Sequence, residues 1–336
     1  MTWFEKLTGF QEESPEQVHA NLEIKGNRLT SKANGRSFIW GRLEIPSLAE
    51  LRQQLDAVQL PEGGPSLQEL VADVQQLHAD PDNAWALFQA ASQFNLLEMV
   101  NPAVTPEQGI GIYDYDHTQG PACAIACGAG TIYRNYFVPL GQQTGQRAAR
   151  QVDCLHDLGV ALGNDQEQLW KMQNGYALPA AAGLEKVAAH LNLLNEAQRD
   201  ELRKLIRIGL QWDTQVTLAG CQHLVSQAYC SALPVAYSRI EGDHWGPFAQ
   251  LVLEAAYEAT FCAAALNLAR SGNNKLFLTL VGGGAFGNRT SWIFAALRRA
   301  LSRYAHVPLA VYIVSYGQSQ PAVRAFAEEW NALTLK

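Results

Sequence analysis

The sequence predicts an α/β fold built on a mixed, mainly parallel sheet. Three observations predict it. An apolar run of strand character, Leu276 to Val281, feeds directly into three consecutive glycines, and a segment with Trp292, Ile293, Ala296 and Leu297 at helical spacing follows. Residues 150–336 alternate between strand-like and helix-like pieces, the pattern of a sheet covered on both faces. The 336 residues are 48% hydrophobic and 17% charged, a globular balance with enough length for one large domain or two ordinary ones.

Residues 1–80 are read as an extension packed on the core. ANLEIKGNRLTSKANGRSFIWGRLEI carries Gly-Asn and Asn-Gly turns between short strand candidates. Two helices are expected next, each opened by a Ser-x-x-Glu capping box, Ser47 with Glu50 and Ser66 with Glu69. The breaker run Pro61, Gly63, Gly64, Pro65 separates them. Residues 84–145 begin with the apolar AWALFQAASQF and then read as a long irregular loop, the kind that carries function inside a compact chain. Further on, a helix is expected over about Glu196–Ile208, starting near Asn195. Strands are expected at Thr214–Leu218 and Tyr229–Tyr237, and a long helix at Phe248–Arg270. The 276–281 strand, a helix after Gly287 and a last strand Leu309–Val314 complete the reading.

The formal net charge of −7 argues against a nucleic-acid partner, which calls for a basic face. No run reaches the roughly 18 apolar residues of a membrane span, and MTWFEKLTGF lacks the pattern of a secretory signal. The six cysteines sit mostly among small apolar residues and read as reduced core thiols of a cytoplasmic protein. Cys123 and Cys127 are four apart, with no second pair to complete a zinc set, so neither a metal nor a cofactor is expected.

Two stretches carry chemistry. In LFLTLVGGGAFG, a strand, a glycine turn and a helix start make a site where backbone N–H groups meet an anion; a phosphate or diphosphate is the natural guest. Ligands of such sheets lie at the strands' carboxyl ends, which places Tyr316, after the last strand, at the same rim. The central loop crowds Glu98, Glu107, Asp114 and Asp116 together, with Asn95, Thr118 and Gln119 beside them. Crowded carboxylates beside an anion site point to a general base, or to acids that receive a cationic group. Asp213 is a further acid at a strand start, and Arg134 is expected to pair with a loop carboxylate and hold the loop's shape.

ASQFNLLE, PEQGIGIYDYDHTQGP and YRNYF, taken with LTLVGGGAFGN and the tyrosine after the last strand, resemble the macrodomain and poly(ADP-ribose) glycohydrolase superfamily. Within it they are similar to divergent bacterial effector ADP-ribosylhydrolases that act on arginine-linked ADP-ribose on ubiquitin. The resemblance covers Trp85 to Gly317. It implies a three-layer α/β/α macrodomain over residues 81–336 that binds ADP-ribose and removes it from a protein, ubiquitin among the candidates. It places Gly282, Gly283, Gly284, Ala285, Phe286, Gly287 and Asn288 around the diphosphate and ribose, and Tyr316 on the adenine. Phe94 and Asn95 open the distal-ribose pocket, and Thr118 and Gln119 contact the ligand. Glu98, Glu107 and Asp116 are the catalytic candidates. The sequence lacks the glycine-plus-paired-glutamate motif of poly(ADP-ribose) glycohydrolases and the Asn-Ala-Ala-Asn run of many macrodomains, so polymer cleavage is not implied. Two other readings stay open: a module that reads ADP-ribose without cleaving it, and a metal-dependent phosphohydrolase of nucleoside diphosphate sugars. Export into a host cell is also left open.

Overall fold

A seven-stranded sheet organises the computed structural model, which describes residues 1–218 and 220–334. Its spatial order is Arg42–Glu44, Gly209–Gln215, Leu224–Cys230, Leu87–Ala91, Lys275–Leu278, Ala310–Ser315 and Ser66–Val71. The first two pairings are antiparallel and the remaining four parallel, as expected of a mixed, mainly parallel sheet. The 30-residue helix Gly242–Ser271 packs with Leu48–Asp56, Ala181–Leu193 and Thr290–Arg303 on one face. Gln119–Ala126 and Gly128–Ile132 cover the other, which gives three layers.

Across the middle strands the register aligns Phe88, Phe277 and Tyr312, whose rings stack at 4.5 and 5.2 Å, and His78 closes the row 3.8 Å from Phe88. Full burial drives the His78 pKa down to about 4. This aromatic row is a cross-strand device that fixes register in parallel strands.

Several boundaries differ from the sequence reading. Ser47 caps Leu48–Asp56 with Glu50 as expected. Ser66 and Glu69, by contrast, lie in a strand, because Ser66–Val71 pairs along its whole length with Ala310–Ser315. Tertiary pairing overrides the local capping pattern there, and Glu69 accepts from the Ser315 and Ser319 hydroxyls and the Gln320 N–H instead. The strands expected at 214–218 and 229–237 begin about five residues earlier, at Gly209 and Leu224. Their polar residues hid them: buried Gln211 donates to the Trp40 carbonyl at 2.7 Å, and buried Gln227 to that of Cys123 at 2.8 Å. The helix that starts at the Asn195 capping box ends at Arg203. The loop expected through residue 145 turns helical from Gln119 to Phe137.

Residues 1–80 supply both edge strands of the sheet, as well as the antiparallel strands Leu22–Lys25, Arg28–Ser31 and Ser37–Ile39. Gly242–Ser271 is long and apolar enough to cross a membrane, contrary to the sequence reading, but most of its apolar stretch is buried in the core. All six cysteines are free, and five are buried.

Candidate functional site

A cleft of about 360 Å³ lies at the carboxyl ends of the three central parallel strands. Ala91 ends the first and Ser92 and Gln93 follow it, Ala232 follows the second, and Thr279 through Gly282 the third. The base of the glycine loop is fixed from below. The Tyr257 hydroxyl, on the long core helix, donates to the Thr279 carbonyl at 2.8 Å and accepts the Val281 N–H at 3.0 Å. Gly282 adopts φ 74°, and a Cβ there would lie 2.4 Å from that of Ala232, so only glycine fits. Asn288 closes the loop with its amide on the Leu233 carbonyl and its N–H on that of Gly282, both at 2.8 Å. Between these anchors, the N–H groups of Gly284, Ala285 and Phe286 have no protein acceptor among the described residues. Gly284, Ala285 and Phe286 line the cleft, so a short run of free donors stands at its wall.

The helix that lends its start to the cleft is not the one after the glycines. Thr290–Arg303 begins two residues beyond Asn288, and none of its residues line the cleft. Thr118, Gln119, Gly120 and Pro121, where Gln119–Ala126 begins, do. This helix lies tight against the sheet: a Cβ on Gly120 would lie 1.9 Å from the Ala91 carbonyl oxygen. Gln119 lines the wall, but its side chain serves the fold, accepting from the Ala91 N–H at 2.8 Å and donating to the Gln89 carbonyl at 2.7 Å.

Two of the three expected acids come together. Glu98 lines the cleft yet is only 2% exposed, and neither carboxyl oxygen has a hydrogen-bond partner. Burial pushes its pKa up to about 8, against the pull of the Arg134 guanidinium and of the Ser92 and Tyr113 hydroxyls, which lie near the carboxyl but outside hydrogen-bond geometry. Asp116, partly exposed, lines the same cleft, and its charge raises the Glu98 pKa further. Glu107 is elsewhere: one oxygen accepts the Ala148 N–H at 2.8 Å, so it pins a neighbouring loop rather than facing the cleft. Asp114 is likewise a fold residue, accepting the Trp3 N–H at 2.5 Å. Asp213 pairs with Arg270 at an irregularity in the sheet and is not among the lining residues. Fully buried Arg134 makes no ion pair among the described residues. It donates to the Leu96 carbonyl at 3.1 Å and lies 3.6 Å over the Tyr229 ring.

Among the expected ligand contacts, Thr118, Gln119, Gly282, Gly284, Ala285 and Phe286 line the cleft, whereas Gly283, Gly287 and Asn288 shape the loop behind it. Phe94 and Asn95 do not line it. Phe94 is buried in the core, and Asn95 is tied to Gln151 and the Leu97 N–H, so Ser92 and Gln93 take their place at the wall. Tyr316 follows the last strand as expected, but it is 76% exposed and outside the lining. Two aromatic residues were missed. Tyr176 and Tyr237 line the cleft and cluster with Phe286, ring centroids 5.2–5.6 Å apart. Only the aromatic residue types could have flagged them, because each sits outside the acid loop and the glycine motif. Among the described residues, no Lys, Arg or His lines the cleft.

No family model and no curated protein matches the chain. Among solved structures, it is similar to poly(ADP-ribose) glycohydrolase from Deinococcus radiodurans in complex with ADP-ribose, with 11% identity, a TM-score of 0.46, and coverage of 87% of this chain and 95% of that one. It is also similar to the Thermomonospora curvata poly(ADP-ribose) glycohydrolase bound to the inhibitor ADP-HPD, with 11% identity, a TM-score of 0.42, and coverage of 95% and 96%.

Proposed function

We propose that this chain is an ADP-ribosylhydrolase that releases ADP-ribose from an arginine side chain of a modified protein. The observation that carries the reading is Glu98. An unpartnered carboxyl at the wall of a cleft, raised to about 8, marks a group held for proton transfer. A module that only reads ADP-ribose needs the free N–H run but has no use for such an acid.

The diphosphate is to sit on the N–H groups of Gly284, Ala285 and Phe286, which neutralise it without a basic side chain. The distal ribose then lies between this loop and the two acids. Arginine is the favoured leaving group because the Asp116 carboxylate lines the cleft with no basic side chain beside it, and the Tyr176, Tyr237 and Phe286 rings offer faces to a guanidinium. The bond from ribose C1 to the guanidine nitrogen breaks, and its electron pair leaves with the nitrogen, which takes the Glu98 proton. Water adds to C1 from the other side and passes its proton to Asp116; solvent resets the two carboxyls.

The test follows release of ADP-ribose from arginine-modified and serine-modified protein, each with and without EDTA. Release from arginine that is indifferent to EDTA is expected. Tight ADP-ribose binding without release from either linkage would make the chain a reader. Activity on a nucleoside diphosphate sugar that EDTA abolishes would make it a phosphohydrolase.

A further inference from the structure

Two glycines of the PEQGIGIYD run touch no part of the cleft, yet the structure gives them a partner. A Cβ on Gly109 would stand 2.6 Å from a Glu12 carboxylate oxygen, and one on Gly111 2.9 Å from the same atom. Gly109 also adopts φ 89°. Glu12 lies in the link between the N-terminal helices Trp3–Thr8 and Pro15–Asn21. Its carboxylate receives three hydrogen bonds: the Ile110 N–H at 3.0 Å, the Gly111 N–H at 2.6 Å and the Tyr136 hydroxyl at 2.6 Å. Trp3 adds two more, its indole N–H on the Ile110 carbonyl at 2.9 Å and its own N–H on Asp114.

The clamped segment carries Asp116 and reaches Glu98 through Tyr113. Residues 104–118 contain only two short 3-10 turns, so little local hydrogen bonding fixes their path. Within them, the Tyr113 hydroxyl accepts the Glu98 N–H at 2.9 Å, and the Asp116 N–H donates to the Tyr113 carbonyl at 3.1 Å. Glu12 therefore connects through Ile110, Gly111 and Tyr113 to both acids.

We propose that Glu12 is a positioning residue: the N-terminal segment clamps the 109–116 stretch and so sets Asp116 and Glu98 against the ligand. This rests on the hydrolase reading of the cleft. Misplacing a reacting group by about 1 Å can cost on the order of 10²-fold in rate, whereas the free N–H run of the glycine loop lies on a separate element.

The test uses Glu12→Ala, Glu12→Gln and Gly111→Ala in the full chain. Glu12→Ala should lower kcat for ADP-ribose release at least about tenfold while the calorimetric affinity for free ADP-ribose stays within about threefold. Amide exchange should quicken at Ile110 and Gly111 and stay unchanged in the 242–271 helix. Glu12→Gln, which keeps size and one acceptor, should fall between wild type and Glu12→Ala. Gly111→Ala should match Glu12→Ala, and the double variant should be no worse than either. Full kcat in Glu12→Ala, or unchanged exchange at Ile110 and Gly111, overturns the clamp. So does a parallel fall of kcat, affinity and melting temperature, which marks a general role in folding. The exchange measurement decides the clamp even where wild type releases no ADP-ribose, an outcome that overturns only the proposed reaction.

Discussion

Glu98 shows what one residue's surroundings do to its chemistry. The unfolded chain loses this proton near the ordinary glutamate value, whereas the folded protein keeps it to about pH 8. Between those values the folded state binds the extra proton, so this group's contribution to stability falls as pH rises. Glu98→Gln removes that dependence. Its melting temperature is therefore expected to gain on wild type between pH 5.5 and 8, as read by thermal unfolding at each pH; a constant difference would place the carboxyl in water. Turnover by wild type should decline as pH passes about 8, where Glu98 loses the proton it donates. The aromatic residues separate in the same manner. Tyr237→Leu is expected to raise KM for arginine-modified protein and leave free ADP-ribose affinity within about threefold, because a ring facing a cation contributes on the order of 1 kcal/mol. Tyr316→Ala, at an exposed residue outside the lining, is the converse test and should leave ADP-ribose affinity within about threefold; a loss of about tenfold would put the adenine on that ring. Glu98 and Asp116 were legible in sequence because acids crowded in a loop next to an anion motif are unusual. Glu107 was not separable from them, since its role is set by Ala148, a contact no spacing reveals.

At the scale of elements, the glycine loop divides into positions that build it and one that can be probed. Gly282 is required by its φ and by Ala232, and a Cβ on Gly283 would press on Ile293 at 3.1 Å. A Cβ on Gly284 meets nothing within 4 Å and the residue lines the cleft. Gly284→Val is thus expected to abolish ADP-ribose binding in calorimetry with the thermal unfolding of wild type, while Gly282→Val loses stability as well. Retained affinity in Gly284→Val would move the diphosphate elsewhere. The strand before this loop was legible as an apolar run. Strands 209–215 and 224–230 were shifted because their buried glutamines, satisfied by distant carbonyls, read as surface. Ser66–Val71 was mistaken for a helix because Ser-x-x-Glu is a local signal, whereas its strand pairing depends on residues about 245 positions away.

For the whole molecule, the first 80 residues and the rest share one sheet and one ionic hub. Glu258, fully buried on the long core helix, accepts from Arg52 at 2.6 Å and from Arg299, and pairs with Arg303 at 2.8 Å. Arg52 and Arg299 also bind Asp200, whose pKa they hold down at about 2. Four helices meet there, including Leu48–Asp56 from the N-terminal part. Glu258→Ala strands those guanidinium groups and should cost about 3–5 kcal/mol of unfolding free energy in denaturant titration; a neutral outcome would mean that water replaces the carboxylate. With the scaffold this firmly tied, the chemistry reduces to the cleft and its unpartnered acid. The most direct measurement is single-turnover release of ADP-ribose from arginine-modified protein by wild type and Glu98→Gln, with free ADP-ribose affinity taken on the same samples. The account predicts release slowed on the order of 10²-fold or more at nearly unchanged affinity. Full release by Glu98→Gln would contradict it.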